Sequence, residues 1–314
     1  MKRSKLEKRL NCKEIRLFVC SIQNSKVLTF SNVTHFRRLI YSLLCLIGIG
    51  LFVRCENTQP IKPYSFIVAG HTYGNPGEPQ YGLYPPFIQH TDYFNQLSNL
   101  SFGILTGDVV YQPNQAYWDA ARADIAKFDF PIHIAAGNHD RGPIFDAHYP
   151  SYQAFTHQQD LFIILSPTQW NIEGAQLEFL KKTLVKHQKK VHHIFIFLHE
   201  LVWWSPDNQF REIKINYTPH YPGSTNFWQE IHPLLKRLSN KVYLFAGDLG
   251  ATPLVDTYMF QKENNLTYIA NGMGNKLKDF VVLVKIDAEK VINFELLDLN
   301  HKEPIIVAPS IFSK

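Results

Sequence analysis

Five short polar clusters in this sequence each follow an apolar run, and they contain side chains that commonly bind metals. They are His-Thr-Tyr-Gly at 71–74, Gly-Asp at 107–108, Gly-Asn-His-Asp at 137–140, His-Glu at 199–200 and Gly-Asp at 247–248. In α/β folds, ligands and chemistry collect beyond the carboxyl ends of the strands, where the loops are free. Carboxylate, amide and imidazole groups brought to one such edge predict a metal site.

The apolar runs are the elements that must position these clusters. Continuous apolar stretches predict buried strands at residues 66–69, 102–105, 132–135, 194–198 and 242–246. Helical periodicity predicts helices at 115–128, 174–188 and 226–238, the last interrupted by Pro233. Residues 268–270, 280–286 and 291–297 indicate a closing meander of strands. The sequence therefore predicts an α/β body that ends in β-structure.

The composition excludes several kinds of site. All four cysteines lie within the first 55 residues, so the body has neither an internal disulfide framework nor a Cys-ligated zinc. Residues 1–38 contain ten Lys/Arg against two Glu, which leaves a net charge of −3 on residues 39–314 out of a total of +5. This mildly acidic body gives no indication of nucleic-acid binding. The chain also lacks the two common glycine-rich phosphate loops of nucleotide-binding proteins.

The N-terminal region has the pattern of an export signal. Residues 39–53 are continuously apolar or small and follow Arg37 and Arg38. This stretch is short for a spanning helix, which needs about 20 residues, and it suits the apolar core of a signal peptide. We therefore expect residues 1–60 to form a basic segment, a signal or anchor sequence and a linker, with a translation start near Val33. The protein is then exported or membrane-anchored, with a signal of the bacterial type.

Cys55 follows the apolar core, as the lipidated cysteine of a bacterial lipoprotein does. Arg54, however, stands where a signal peptidase expects a small residue. Lipidation, ordinary cleavage and retention as a membrane anchor therefore stay open.

The strand-end clusters resemble the motifs of the calcineurin-like metallophosphoesterases. The resemblance rests on the Gly-Asp at 107–108, the tetrad at 137–140 and the strand-terminal His199, and it extends over most of residues 64–300. It implies an α/β fold, a four-layer sandwich of two mixed β-sheets flanked by helices. The phosphoesterase domain would cover residues 61–300, with residues 301–314 as a C-terminal tail.

The resemblance also implies roles for single residues. Asp108 would bridge two metals, and Asn138 and His199 would bind the second of them. His139 would protonate the leaving oxygen or stabilise charge on the phosphoryl group. Asp140 would orient the His139 imidazole through a hydrogen bond.

Two motifs depart from the family pattern. The first, Asp-x-His in the family, contains His71 and Tyr73 here, and the fifth, Gly-His-x-His, contains Asp248 and Gly250. Glycine has no side chain to bind a metal, so the first metal position has lost ligands. We expect one well-held divalent ion (Mn, Fe or Zn) and a doubtful second one. The predicted metal ligands are Asp108, Asn138, His199, Asp248 and His71.

Tyr111 offers a different route to a second metal. Gly-Asp-x-x-Tyr at 107–111 has the spacing of purple acid phosphatases, in which that tyrosine is a ferric ligand. Packing of Tyr111 beneath a helix start is the other interpretation.

We predict a metal-dependent phosphoric-ester hydrolase, acting on monoesters or diesters. The alternative is a catalytically degenerate protein of the same fold that binds a phosphorylated ligand. The expected partner is a phosphorylated small molecule or an envelope polymer, and the chain would contact the membrane only through its N-terminal segment. Two aromatic loops, at 73–93 and 203–228, either contact this substrate or pack on one another.

Overall fold

The computed structural model of the protein describes residues 61–216 and 225–307, and the predicted export segment lies outside them. The strands are β1 (Tyr64–Ala69), β2 (Leu100–Thr106), β3 (Ile132–Ala135), β4 (Tyr152–His157), β5 (Asp160–Leu165), β6 (His193–Phe197), β7 (Lys241–Ala246), β8 (Tyr258–Glu263), β9 (Leu266–Asn271), β10 (Phe280–Ile286), β11 (Ile292–Asp298) and β12 (Ile305–Val307). The helices are α1 (Pro85–Ile88), α2 (Thr91–Gln96), α3 (Gln115–Ile125), α4 (Pro143–His148), α5 (Gly174–His187) and α6 (His232–Lys236), and a π-helical turn (Phe227–Ile231) precedes α6.

The strands form two six-stranded mixed sheets. The first has the order β12-β11-β10-β1-β2-β3, and the second has the order β4-β5-β6-β7-β9-β8. The centre of each sheet is parallel: β1 pairs with β2 and β2 with β3, while β5, β6, β7 and β9 follow one another in the second sheet. The parallel strands of a sheet therefore end at one edge, where the polar clusters follow them.

Three layers of apolar side chains divide the fold into four layers of backbone. Phenylalanines fill the space between the sheets: the Phe66 ring centroid lies 5.4 Å from those of Phe102 and Phe162. A second cluster joins the first sheet to helices α1–α4, and a third joins the other sheet to α5 and to the segment around Trp203. This arrangement confirms the predicted four-layer sandwich of two mixed sheets flanked by helices.

Local sequence explains where the helices lie. The Asn114 side chain accepts a hydrogen bond from the Tyr117 N–H (3.2 Å) and caps the start of α3. In α5, Leu177, Leu180 and Leu184 form the buried stripe that the helical spacing predicts. Pro233 does not break the third predicted helix, because it falls in the first turn of α6, where proline is tolerated.

The predicted closing meander is wrong. Strand β9 belongs to the second sheet, whereas β10 and β11 belong to the first, so the chain crosses between the sheets after Asn271. Strand β12 pairs with β11 and lies within the predicted tail at 301–314.

The aromatic side chains of the loop segment after β6 point inward, since Trp203, Phe210 and Phe227 are fully buried. Within the described residues, no helix is both long and apolar enough to cross a membrane.

A buried carboxylate joins the amino ends of the strands, at the edge opposite the polar clusters. Asp160 accepts hydrogen bonds from the Tyr64 hydroxyl (2.6 Å) and from the N–H and Nδ1 of His193 (2.9 and 3.0 Å). Lys290 Nζ lies 3.2 Å from the same carboxylate. Burial alone would raise the pKa of Asp160, but the hydrogen bonds from His193 and Tyr64 hold it below its usual value.

We therefore expect Asp160→Asn to lower the free energy of unfolding by about 2 kcal/mol, because an amide cannot accept all these bonds. The stabilising contribution of Asp160 is complete above the pKa of an unfolded aspartate and is lost as the pH falls through the lower folded value. Urea unfolding at several pH values between about 7 and 3 checks this. The exposed Asp119→Asn is the control, and equal unfolding curves for the two variants would contradict the prediction.

Candidate metal centre

At the edge where the polar clusters follow the strands, glycines allow the strand ends of the two sheets to approach closely. A Cβ on Gly247, after β7, would lie 1.8 Å from the carbonyl oxygen of Thr106, at the end of β2. A Cβ on Gly70, after β1, would lie 2.1 Å from the carbonyl oxygen of Asn271, at the end of β9. No larger residue fits at either position, so glycine allows the polar residues that follow to approach one another.

Three of the predicted metal ligands come together here. One ligand atom each from Asp108, His199 and Asp248 lies within 4.8 Å of the other two, and all three residues are buried. His199 Nε2 is 3.3 Å from Asp108 Oδ1 and 3.8 Å from Asp248 Oδ1. Asp108 follows a strand of the first sheet, whereas His199 and Asp248 follow strands of the second. The cluster therefore lies between the sheets.

The electrostatics of the cluster favour a cation. The Nδ1 of His199 donates a hydrogen bond to the Thr106 carbonyl (3.0 Å), and its buried Nε2 has no hydrogen-bond partner among the described residues. Burial alone would lower the pKa of His199, but the Asp108 and Asp248 carboxylates raise it to about 9. Burial also raises the pKa of Asp248 to about 6. Two buried carboxylates facing one imidazole nitrogen are stabilised by a positive charge placed between them.

His71 lies beside the second carboxylate oxygen of Asp108. It is fully buried, and its Nε2 lies 3.7 Å from Asp108 Oδ2. Burial lowers the pKa of His71 to about 4, so the imidazole is neutral at pH 7 and can act as a ligand. His71 and Asp108 both have positive φ angles (52° and 54°), a backbone conformation that is costly for residues with a Cβ and that clusters at functional sites.

Asp140 does not have the role that the resemblance implies. Its Oδ1 accepts the N–H groups of Val109 and Val110 (2.7 and 3.1 Å), and its Oδ2 accepts that of Gly137 (2.8 Å). The carboxylate is fully buried and holds the loop after Asp108 against the loop after β3. Because backbone donors surround it, Asp140 fixes the position of Asp108 rather than the imidazole of His139.

The partner of the His139 imidazole is the backbone carbonyl of Tyr111, which accepts a hydrogen bond from Nδ1 (2.8 Å). The His139 N–H also donates to Asp108 Oδ1 (3.2 Å), so this residue is fixed beside the cluster. Nε2 is then the nitrogen available for proton transfer. Asn138 lies between Gly137 and His139, both of which contact Asp108, and its own side chain is exposed. Its role as a ligand stays a prediction.

Tyr73 and Gly250 occupy the positions where the family has histidines. The Tyr73 N–H donates to the Asp108 carbonyl (2.9 Å), and its ring centroid lies 4.4 Å from that of His71 and 5.0 Å from that of His139. Burial raises the pKa of Tyr73, and the Asp108 and Asp248 carboxylates add to the rise, so the phenol stays protonated. At Gly250, a Cβ would lie 2.5 Å from the carbonyl carbon of Gly272. No side chain can be accommodated there.

Tyr111 packs beside the same group, with its ring 5.5 Å from that of Tyr73 and 5.9 Å from that of His139. Its proposed ligation of iron stays a prediction.

Sequence reasoning missed Asn216, whose side chain forms a hydrogen bond with Asp248. It also assigned no role to Glu200, which accepts the Trp170 N–H (2.9 Å) and whose pKa is raised by burial. Neither contact has a local sequence signal, because both partners are distant in the chain.

Comparison with known proteins finds solved structures whose fold is similar to that of this chain. No protein-family model and no curated protein matches the sequence. The fold is similar to that of a purple acid phosphatase from yellow lupin (Lupinus luteus) seeds, with a TM-score of 0.54 and 13% identity over 78% of this chain and 53% of that one. This chain therefore spans about half the length of the lupin enzyme.

Two further solved structures match at lower similarity. A predicted phosphoesterase from Streptococcus pneumoniae has a TM-score of 0.37 and 11% identity, over 77% of this chain and 93% of that one. A 5'-nucleotidase precursor from Thermus thermophilus has a TM-score of 0.42 and 13% identity, over 80% of this chain and 56% of that one. The order of strands in the two mixed sheets, the flanking helices and the likeness to the lupin phosphatase together show a metallophosphoesterase-like fold.

Proposed function

We propose that this protein is a metal-dependent phosphoric-ester hydrolase with a single well-held divalent ion. The observation that supports this most directly is the buried cluster of Asp108, His199 and Asp248, whose ligand atoms lie within 4.8 Å of one another. The free Nε2 of His199 gives the cluster an imidazole donor with no other described partner. The structural likeness to a phosphatase supports the reaction class.

The donor set fits a divalent ion. Two carboxylates and one imidazole are ligands that suit Mn²⁺, Fe or Zn²⁺. Asp108, His199 and Asp248 would hold the ion, with Asn138 and His71 as further ligands. Such an ion supplies positive charge that polarises a phosphoryl oxygen and makes water a stronger nucleophile. The absence of room for a side chain at Gly250 supports one ion rather than two.

The residues around the cluster have separate tasks. Asp140 holds the Asp108 loop through the N–H groups of Val109 and Val110. The Tyr111 carbonyl fixes the Nδ1 tautomer of His139. With a second proton on Nε2, the His139 imidazolium would donate that proton to the leaving oxygen of the ester and return to the neutral Nδ1–H tautomer, which is the step for which a general acid is needed.

The proposed substrate class rests on the export signal that the sequence predicts. We propose a phosphorylated small molecule or an envelope polymer, met outside the cytoplasm by an exported or membrane-anchored enzyme. The mildly acidic body favours neither monoester nor diester.

The test is hydrolysis by the purified protein before and after removal of metal. We expect turnover of p-nitrophenyl phosphate or of bis(p-nitrophenyl) phosphate that is lost with a chelator and regained with Mn²⁺, Fe²⁺ or Zn²⁺. Metal analysis should give about one ion per chain. If the protein binds an ion but hydrolyses neither ester with any of these metals, the result favours the alternative. The alternative is a degenerate protein that binds a phosphorylated ligand.

A further inference from the structure

Tyr73 is fixed between the candidate metal ligands and the proposed acid. Its N–H is bonded to the Asp108 carbonyl, and its side chain is only 3% exposed. The rings of His71 and His139 contact it from two sides. The segment that holds it is a tight turn, in which the Gly74 N–H donates to the His71 carbonyl (3.1 Å). A side chain held in this way loses little entropy when it binds a ligand.

The position of the substrate follows from the two groups that must reach it. A phosphoryl group that contacts both the Asp108 cluster and the His139 imidazole has to lie between them. The His139 backbone N–H donates to Asp108 Oδ1 (3.2 Å), so the two residues that border this space are fixed relative to one another. Tyr73 borders it, because its backbone is bonded to Asp108 and its ring contacts that of His139. Its phenol, like that of neighbouring Tyr111, is a neutral O–H donor, and such a donor can bind a phosphoryl oxygen without a second cation.

We propose that Tyr73 is a substrate-binding residue whose phenol O–H donates a hydrogen bond to a phosphoryl oxygen bound beside Asp108 and His139. This inference rests on the proposed function, since it assumes that the cluster binds a phosphorylated ligand. A tyrosine there fills the space between His71 and His139 and adds a donor without adding charge. The ligand class is therefore a tetrahedral oxyanion, held by one ion and one phenol.

The test compares Tyr73→Phe with the parent protein by two measurements. Binding of inorganic phosphate, followed by calorimetry, should weaken about tenfold to a hundredfold, the usual effect of one lost hydrogen bond to a charged group. The metal content should stay at the parent value, because phenylalanine preserves the ring contacts and the backbone bond to Asp108. The exposed Tyr81→Phe serves as the matched control and should bind phosphate like the parent.

The outcomes separate this inference from the proposed function. If the parent protein binds metal and phosphate but Tyr73→Phe binds phosphate equally well, the phenol has no role and the inference fails. If Tyr73→Phe loses metal as well as phosphate, Tyr73 is itself a metal ligand and the inference also fails. If the parent protein binds no metal, the proposed function itself is contradicted, whatever the tyrosine variants do.

Discussion

Replacing His199 by alanine should abolish metal binding. We expect the affinity for Mn²⁺ or Zn²⁺ to fall by more than about 100-fold, beyond the usual effect of losing an outer partner of a metal ligand. The physical reason is the geometry of the cluster: His199 Nε2 is the imidazole donor that faces both Asp108 and Asp248. Without it, two buried carboxylates remain close together with one donor fewer. Metal analysis after dialysis against a weak chelator measures the effect, and phosphoesterase activity should be lost with the metal.

The matched control is His193→Ala, at the start of strand β6, the strand that His199 follows. His193 is also a buried histidine facing a buried aspartate, but it lies at the other end of the strand and contacts Asp160. Both variants should unfold more easily, because each leaves a buried carboxylate with fewer partners. Only His199→Ala should lose the metal. Equal metal contents in the two variants would remove the basis for the proposed site.

Replacing His139 by alanine should lower kcat about a thousandfold while leaving the metal content unchanged. General acid catalysis contributes about this much when the proton donor is well placed. The side chain can be removed without disturbing the loop, because the backbone N–H that bonds to Asp108 and the three backbone bonds of Asp140 remain. Steady-state kinetics with an alkyl phosphate ester, whose leaving oxygen needs the proton, measures kcat, and metal analysis measures the metal content.

A substrate with a better leaving group sharpens this experiment. The loss of kcat should be smaller for an aryl ester, whose leaving oxygen needs little protonation, than for an alkyl ester. His192 is exposed, and its Nε2 lies 3.2 Å from Gln159 Oε1; His192→Ala is the control and should retain the parent kcat. A loss in His139→Ala that is equal for the two esters would contradict the acid role.

The strand-end clusters could be predicted from sequence because the geometry of parallel sheets fixes where they meet. Asp108, His199 and Asp248 each follow a continuous apolar run, and such runs are buried strands that end at a common edge. The glycine before Asp108 and the one before Asp248 are explained by the close approach of the two sheets. The positions of these residues could therefore be predicted without knowing the conformations of the loops.

Other features depend on contacts that leave no local pattern. The edge strands β4 and β8 were missed because they are only partly buried and contain Gln, His, Lys and Glu among their apolar residues. The crossing from β9 to β10 was missed because both strands are almost completely buried, and a buried strand fits either sheet. Asp140 was misassigned because its partners are backbone N–H groups, which every residue except proline has.

The placement of the cluster between the two sheets has a mechanical consequence. An ion bound to Asp108 on one side and to His199 and Asp248 on the other would act as a crosslink across the phenylalanine core. Its binding energy would then contribute to holding the halves in register, and the melting temperature would rise with metal concentration. Packing changes far from the cluster, such as a smaller residue at Phe66, would likewise alter how tightly the ion is held.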